Sequence, residues 1–393
     1  MPLLRRAVHI DRLRVDVQGR RLTVIQLLPA LNAGGVERTT LEIGRAVVAA
    51  GHRSIVISAG GRMLGQLLDQ GSEHIHVDIG RKSLATLLQA RTLRRLFADI
   101  RPDVVHARSR LPAWVTRLAL RTMSRPRPHL VTTVHGLNSP GIYSAVMTRS
   151  ERVICVSNTV RDYVLRNYPR TDPARLTVIP RGVDAAEFPF GFQADEDWQR
   201  GFFMDFPQLA GGVLLTLPGR GTRLKGHADA IALLAQLVAR GIDARLLLLG
   251  AREPGREPYI AELEALASQH DVLQRIAISA PRNDVREIYA TSALILQLSN
   301  KPEAFGRTVL EALALCRPVL GYAHGGVGEL LAELYPEGRV PLGDSVRLAE
   351  RAAELLRVAP PIAPLTRYLL ADMQYDTLRV YEEVAWDEEA GGR

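Results

Sequence analysis

Short apolar runs along the chain alternate with longer segments in which apolar residues recur every three or four positions. Alternation of buried strands with amphipathic helices predicts βαβ units, and hence a parallel sheet covered by helices on both faces. In the first half the predicted strands lie at 22–28, 54–58, 75–79, 103–106, 130–134, 152–156 and 176–179. The helices predicted between them lie at 36–50, 83–99, 112–123 and 158–168.

The alternation breaks over residues 185–211, which hold the acidic cluster Asp195-Glu196-Asp197 and which we interpret as an interdomain connection. It then restarts with strands at 213–217, 244–249, 275–278, 294–298 and 318–322, and with helices at 226–240, 257–269 and 284–290. At 393 residues the chain is long enough for two domains. We predict a basic extension at 1–20, a first domain at 21–190 and a second at 191–366.

Composition limits the possible partners. The net charge of +8 is compatible with nucleic acid, an anionic membrane or anionic small molecules. Aromatic residues make up only 5% of the chain, and no nucleic-acid-binding module is recognisable, so we predict no nucleic-acid partner. A membrane surface or a phosphorylated substrate is favoured.

The same composition indicates a cytoplasmic protein. No apolar run reaches the eighteen or so residues of a membrane span, and the N-terminus lacks a secretory signal. Cys155 and Cys316 lie in apolar contexts and are predicted to be inert core thiols, without disulfide or zinc spacing.

The stretch 300–331 carries the strongest chemical pattern. Glu303 precedes a Phe305-Gly306 turn, and an apolar helix predicted from about Arg307 carries Glu311. The free N–H groups and positive dipole end of such a helix suit a phosphate. Two carboxylates beside it suit sugar hydroxyls, so the pattern indicates a nucleotide-sugar.

The two acids resemble the E-x7-E signature of retaining glycosyltransferases of the GT-B fold, family GT4. The flanking segments PEAFG, LEALA, RPV and GGVGE resemble that family too. Bacterial enzymes of lipopolysaccharide and envelope synthesis are among the similar proteins. The resemblance implies two Rossmann-like, doubly wound α/β domains with the active site in the cleft between them. It also implies a C-terminal helix, 367–393, that crosses back onto the first domain.

Other residues match the family's remaining motifs. Gly34-Gly35, after the first strand, resembles a loop that approaches the donor, and His135 resembles the active-site histidine. Gly219-Arg220 and Lys225 resemble an R-x4-K pair that stands in for a divalent metal. We therefore predict a metal-independent enzyme without cofactors, and we interpret Asp195-Glu196-Asp197 as solvated acids rather than a metal motif.

The resemblance also implies roles in binding and catalysis. Arg220, Lys225 and the helix near Thr308 would neutralise the departing diphosphate, while Glu303 would hold hydroxyls of the transferred sugar and Glu311 the ribose. The residues predicted to be catalytic are His135, Arg220, Lys225 and Glu303. The predicted donor-binding set is Gly34, Gly35, Gly219, Arg220, Lys225, Arg282 (near the base), Glu303, Phe305, Gly306, Thr308, Val309 and Glu311.

The acceptor is expected to be a glycan or a lipid-linked sugar, for example a phosphorylated lipopolysaccharide core. The helix at 83–99 is basic and amphipathic, so it could dock on anionic lipid at the inner face of the cytoplasmic membrane; it could equally be a core-facing helix with a solvated basic face. His106 could line the acceptor side or be structural. Two alternatives stay open: a nucleotide-sugar epimerase of similar fold, and a non-catalytic scaffold.

Overall fold

The computed structural model describes residues 20–32, 34–81 and 83–390, without the side chains of Leu84 and of 387–390. Most of the predicted extension at 1–20 lies outside the described residues. The chain divides into two compact units. Unit 1 consists of the described residues up to Arg181 and of those from Leu370 onward. Unit 2 comprises Gly182–Leu369.

Unit 1 is built on a parallel seven-stranded sheet of order β3-β2-β1-β4-β5-β6-β7. Its strands are β1 (Thr23–Leu27), β2 (Arg53–Ser58), β3 (Glu73–His76), β4 (Val104–Ala107), β5 (His129–Val134), β6 (Arg152–Cys155) and β7 (Leu176–Val178). Its helices are α1 (Gly35–Ala49), α2 (Leu64–Asp69), α3 (Leu84–Ile100), α4 (Arg110–Arg121), α5 (Asn158–Asn167) and the C-terminal helix, with 3-10 turns at Ser144–Thr148 and Pro173–Arg175.

The C-terminal helix packs on the sheet of unit 1. Met373, Leu378, Tyr381 and Val384 of this helix join one buried cluster with residues of α1, β1, β4, β5 and β6, among them Val47. Each fully buried side chain of this size contributes roughly 1.5–3 kcal/mol of hydrophobic free energy.

Unit 2 repeats the architecture with a parallel six-stranded sheet of order β10-β9-β8-β11-β12-β13. Its strands are β8 (Val213–Pro218), β9 (Ala244–Leu249), β10 (Ile276–Ile278), β11 (Leu294–Gln297), β12 (Val319–Tyr322) and β13 (Arg339–Val340). In chain order its helices are α6 (Glu196–Asp205), α7 (His227–Ala239), α8 (Glu257–Gln269), α9 (Val285–Thr291), α10 (Arg307–Ala314), α11 (Gly325–Leu334) and α12 (Ser345–Arg357), so that the C-terminal helix of unit 1 is α13 (Leu370–Ala390). Single 3-10 turns lie at Pro207–Leu209, Arg223–Lys225, Leu273–Arg275 and Pro336–Gly338.

Both sheets reverse their strand order at one point, between β1 and β4 in unit 1 and between β8 and β11 in unit 2. In open α/β sheets, ligands bind beyond the carboxyl ends of the strands at such a reversal, because the two following loops diverge there. The loops concerned are 28–34 and 108–109 in unit 1, and 219–226 and 298–306 in unit 2. Most of the predicted site residues lie on or next to these loops.

The interpretation of residues 185–211 as an interdomain connection is wrong, because the segment lies within unit 2 and contains α6. Asp195 accepts hydrogen bonds from the backbone N–H groups of Asp197 and Trp198, and so caps α6. Trp198 Nε1 donates to Asp284 at 3.0 Å, and Phe202 is buried. The acidic cluster therefore begins a helix that packs within unit 2.

The division of the chain also lies elsewhere than at the predicted boundaries of 190 and 366. Val183 and Leu369 form a parallel bridge, and the Val183 N–H donates to the Tyr368 carbonyl at 2.9 Å. These bonds join the two ends of unit 2 to each other. Unit 2 therefore begins at Gly182 and ends at Leu369.

Candidate functional site

Two glycines shape the loop after β8. Gly219 has φ of 156°, and a Cβ there would lie 3.1 Å from Cγ and Cδ of Lys225, so the lysine side chain lies along the glycine. Gly226 has φ of 73°, and a Cβ there would lie 2.0 Å from the carbonyl oxygen of Leu298. Glycine is required at Gly226 because the loop packs directly against the end of β11, and it is favoured at Gly219 by the positive φ. Arg220 on this loop is exposed, and its guanidinium forms no ion pair within the described part of the chain.

Lys225 and Glu303 form the central ion pair of unit 2. Lys225 Nζ lies 2.6 Å from Glu303 Oε1, and the hydroxyl of Ser299 donates to the same carboxylate oxygen. The two side chains are 28% and 26% exposed, so a ligand can reach them. A pair this open to water stabilises the fold by about 1 kcal/mol or less. Both side chains are therefore accessible to a substrate.

Helix α10 begins immediately after this pair. Gly306 is its N-cap and provides no side-chain cap. The Val309 N–H donates to the Gly306 carbonyl at 2.9 Å, so Thr308 offers the backbone N–H of the first turn. Thr308 is partly exposed, whereas Phe305 and Val309 are buried and Phe305 lies 6.4 Å from the Tyr368 ring. The helix start can thus offer the backbone N–H and the hydroxyl of Thr308.

The turn between β12 and α11 fixes the backbone around Glu303. The Gly326 N–H donates to the Glu303 carbonyl at 2.7 Å. A Cβ on Gly325, whose φ is 59°, would lie 2.7 Å from that carbonyl oxygen. His324 Nε2 bonds the Ser299 carbonyl at 2.7 Å. The sequence reasoning missed Ser299 and His324, although each directly follows or precedes a recognisable motif.

Glu311 and Arg282 lie in more enclosed surroundings. The Glu311 side chain is 8% exposed, which is rare for a carboxylate. Arg282 bonds Asp284 at 2.8 and 2.7 Å and lies over the rings of Phe202 and Phe206. Hydrogen bonding to Asp284 raises the pKa of Arg282. Arg282 thus packs α6 onto unit 2, and its contact with a base stays a prediction.

In unit 1 the predicted glycine loop precedes α1. Gly34 has φ of 145°, and a Cβ there would lie 2.7 Å from Glu37 Oε2. Helix α1 has no side-chain cap, and the Cβ position of Gly35 is open. The helix start can therefore be approached closely by a ligand.

His135 follows β5, and its ring is held by Arg181. Arg181 Nη2 donates to His135 Nδ1, so the ring proton belongs on Nε2. Burial lowers the pKa of His135 well below its ordinary value, and the charges of Arg181 and Arg108 lower it further. His135 Nε2 has no hydrogen-bond partner among the described residues. The residue is a neutral hydrogen-bond donor.

His106 is structural, which corrects the suggestion that it lines the acceptor side. Its Nδ1 bonds the Tyr381 hydroxyl at 2.6 Å and its Nε2 bonds Thr133 Oγ1 at 2.7 Å. It is fully buried, and burial lowers its pKa well below the ordinary value. Both nitrogens are used within the core, so none is left for a substrate.

A pocket of about 330 Å³ opens at the carboxyl end of the strands in the unit 1 sheet. Residues from the loops after β1, β4 and β5 line it, which is where the strand order reverses. The polar side chains among them are Arg108, Ser109, Arg110, Thr133, His135, Asn138 and Tyr143. Such a lining can hold a hydroxylated or anionic group.

Within residues 20–32, 34–81 and 83–390, no three His, Cys, Asp or Glu side chains are grouped to hold a metal ion. None of the helices over the same ranges has the length and apolarity to cross a membrane. The metal-independent site stays a prediction, which binding with and without a chelator tests.

Two family models match the chain. Residues 33–187 match "Glycosyltransferase Family 4", and residues 210–359 match "Glycosyl transferases group 1". A curated relative is the alpha-maltose-1-phosphate synthase of Mycolicibacterium smegmatis, 28% identical over 255 residues. The match covers 58% of this chain and 62% of that enzyme, so the chain spans less than two thirds of the relative's length.

Solved structures agree with the fold. A glycosyltransferase from Rickettsia africae superposes with a TM-score of 0.82 at 24% identity, covering 94% of this chain and 100% of that one. Anabaena HepE, solved with UDP and glucose, gives 0.74 at 18% identity and covers 92% and 100%. At these identities the likeness establishes the fold: two Rossmann-like α/β domains of the GT-B type.

Proposed function

Because the chain belongs to the glycosyltransferases that combine a family 4 domain with a group 1 domain, we propose that it transfers a hexose or N-acetylhexosamine from a UDP-sugar to a glycan or lipid-linked acceptor. Anabaena HepE, a structural neighbour, binds UDP and glucose, which supports the uridine nucleotide. Both matched families are glycosyltransferase families, so the epimerase and scaffold alternatives are not favoured.

The observation that carries this proposal is the accessible Lys225–Glu303 pair beside the uncapped start of α10. One cation, one carboxylate and the N-terminus of α10 lie where the unit 2 sheet reverses its strand order. A diphosphate would take the cation and the helix N-terminus, while the carboxylate would accept bonds from sugar hydroxyls. A nucleotide-sugar satisfies all three at once.

Lys225 changes partner in this mechanism. In the free protein its ammonium group holds Glu303 at 2.6 Å. When the diphosphate binds, Lys225 and Arg220 turn to the phosphate oxygens, and Glu303 becomes free to hold the transferred sugar. The charge that develops on the leaving diphosphate is then stabilised by groups already in place. Glu311 would bind the ribose.

His135 would act by donating a hydrogen bond. Since Arg181 occupies Nδ1, the imidazole presents Nε2–H and has no free lone pair with which to take a proton. It can bind a sugar hydroxyl but is unsuited to be the general base. The acceptor's proton would pass to the leaving phosphate, with reaction on one face and retention of configuration.

For the acceptor we propose a phosphorylated or lipid-linked sugar of an envelope glycan such as a lipopolysaccharide core, used at the inner face of the cytoplasmic membrane. The net charge of +8 supports it, and so does α3, where Arg91, Arg94 and Arg95 are exposed and Leu88 is 61% exposed. Phosphatidylglycerol vesicles should sediment the protein more than phosphatidylcholine vesicles do. Equal sedimentation with both kinds of vesicle would contradict the proposed contact with anionic lipid.

A thermal-shift panel of UDP-, GDP- and ADP-sugars, with and without EDTA, tests the donor site. Wild-type protein should be stabilised most by a UDP-sugar, and EDTA should leave the shift unchanged. Glu303→Ala should retain the shift caused by UDP alone but lose the extra shift caused by the sugar. If no nucleotide moved the melting temperature of the wild type, the proposed donor site would be wrong.

A further inference from the structure

Arg108 is a buried cation that the donor chemistry does not use. It follows β4 directly and is 2% exposed. Its Nε donates to Gln26 Oε1 at 2.7 Å, whereas its Nη2 has no hydrogen-bond partner in the described chain. A buried guanidinium with an unbonded nitrogen is costly, because the lost hydration is not replaced.

The surroundings of Arg108 contain neutral, positive and negative groups. Gln26, which accepts the hydrogen bond from Arg108 Nε, is neutral, and the Tyr381 hydroxyl is a second side-chain partner. The guanidinium of Arg181 is buried nearby and raises the local positive potential, which also disfavours protonation of His135. Glu42 provides negative charge, but Arg38 bonds the same carboxylate at 3.1 Å. Glu42 therefore divides its charge between Arg108 and Arg38.

The pocket of about 330 Å³ that Arg108 lines is suited to an anion. Arg110 lines it too, held over the Tyr143 ring at 5.1 Å and bonded to Ser144 Oγ at 3.2 Å. No Asp or Glu occurs among the lining residues of the described chain. Planar guanidinium groups match the oxygens of phosphate and carboxylate. His135 Nε2–H adds a neutral donor in the same lining.

We propose that this pocket binds an anionic group, a phosphate or carboxylate, carried by the acceptor, with Arg108 as its principal partner and Arg110 as its second. The assignment to the acceptor rests on the proposed function, in which unit 2 binds the donor diphosphate through Arg220 and Lys225. The anion site itself depends only on unit 1. The enzyme would thereby select acceptors that bear a negative charge next to the hydroxyl to be glycosylated.

The test uses the full chain in a non-anionic buffer, with inorganic phosphate and glycerol phosphate as probes and glycerol as the neutral control. Calorimetry should detect both anions on wild type and not glycerol. Arg108→Gln should weaken phosphate binding about tenfold or more, and Arg110→Gln about threefold, as expected for lost charged hydrogen bonds. Arg121→Gln, the same change at the exposed far end of α4, should leave the affinity unchanged.

UDP binding by the same variants separates the two proposals. Arg108→Gln and Arg110→Gln should bind UDP as wild type does, and urea unfolding should show that unit 1 of each variant is folded. Phosphate should still bind when UDP is saturating. If saturating UDP abolished phosphate binding, or if Lys225→Ala weakened it as much as Arg108→Gln, the anion would lie in the donor site and the inference would be wrong.

Arg110→Gln keeps the test decisive if Arg108→Gln does not fold, because Arg110 is partly exposed. Unchanged phosphate affinity in Arg110→Gln would then overturn the pocket. Phosphate binding that depends on Arg108 or Arg110, in a protein that binds no nucleotide, would support the anion site while refuting the proposed donor chemistry.

Discussion

The two units place charge at the ends of their sheets in contrasting ways. In unit 2 the cation Lys225 is paired with Glu303, and about a quarter of each side chain is exposed. In unit 1 the cations Arg108 and Arg181 are nearly inaccessible; Arg108 donates to the neutral Gln26, and Arg181 donates to the neutral His135. The exposed pair adds little to stability and can change partners, whereas the buried network is rigid and shapes a pocket.

The contrast teaches that similar folds can prepare for a charged ligand by two routes. Unit 2 stores its cation in an internal ion pair that a diphosphate can displace. Unit 1 keeps its cations desolvated, which strengthens their interaction with any anion that enters. Mutation of Lys225 should therefore affect activity more than stability, whereas mutation of a buried partner such as Tyr381 should affect stability most.

The largest expected effect is on the stability of unit 1. Tyr381 is 1% exposed and bonds His106 across 275 positions of the chain. Tyr381→Ala should lower the free energy of unfolding by about 3–5 kcal/mol, because it opens a cavity and removes the partner of a buried imidazole. Urea unfolding checks this. Tyr375→Ala on the same helix, where the ring is 37% exposed, is the control, and an equal loss there would refute the contrast.

The next effect should appear in activity, in unit 2. Lys225→Ala should lower kcat about 100- to 1,000-fold, the usual result of removing one group that stabilises transition-state charge. The free energy of unfolding should fall by less than about 1 kcal/mol, because the pair is open to water. Steady-state kinetics with the UDP-sugar chosen by thermal shift, together with urea unfolding, measures both. Lys301→Ala, an exposed lysine near Glu303, should change neither; a stability loss without an activity loss in Lys225→Ala would reverse the assignment.

How far the sequence predicted the molecule depended on how local each signal was. The repeated strand and helix periods predicted both parallel sheets, and β9 and α8 lie at the predicted residues. Lys225 and Glu303 could be found because each stands beside glycines at a strand end, in recognisable motifs. Their direct contact at 2.6 Å depends on how β8 and β11 pair, which the motifs do not state.

The buried network of unit 1 could not be predicted in the same way. Arg108, His135, Arg181 and Tyr381 come together only through the packing of β4, β5 and the C-terminal helix. The position of a single arginine after an apolar strand does not indicate how deeply its side chain is buried. Helix α6 was missed for another reason, since the acidic cluster suggested solvent although Asp195 is a common N-cap residue.

A smaller effect should be seen in the acid response of unit 1. The pKa of His106 is lowered well below its ordinary value by burial, so the unfolded chain binds a proton that the folded chain refuses. Stability should therefore fall as pH decreases below about 6.5. His106→Gln should reduce that slope by up to about 1.4 kcal/mol per pH unit. Urea unfolding between pH 7 and pH 4 measures it, with the exposed His270→Gln as control; an unchanged slope would mean that other groups cause the acid response.

The smallest effect concerns a charge of unit 2 that has no ligand to bind. Asp195 accepts bonds from two backbone N–H groups at the start of α6, so Asp195→Ala should cost about 1 kcal/mol of stability and leave kcat unchanged. Asp197→Ala should cost less, because Asp197 pairs with Arg200 only at the exposed surface. Urea unfolding and steady-state rates with added Mn²⁺ check both variants. A large loss of kcat in Asp195→Ala, or a Mn²⁺-dependent rate that both substitutions abolish, would contradict this expectation. The acidic cluster would then be a metal motif, and an exposed charge of unit 2 away from the proposed donor site would matter for activity.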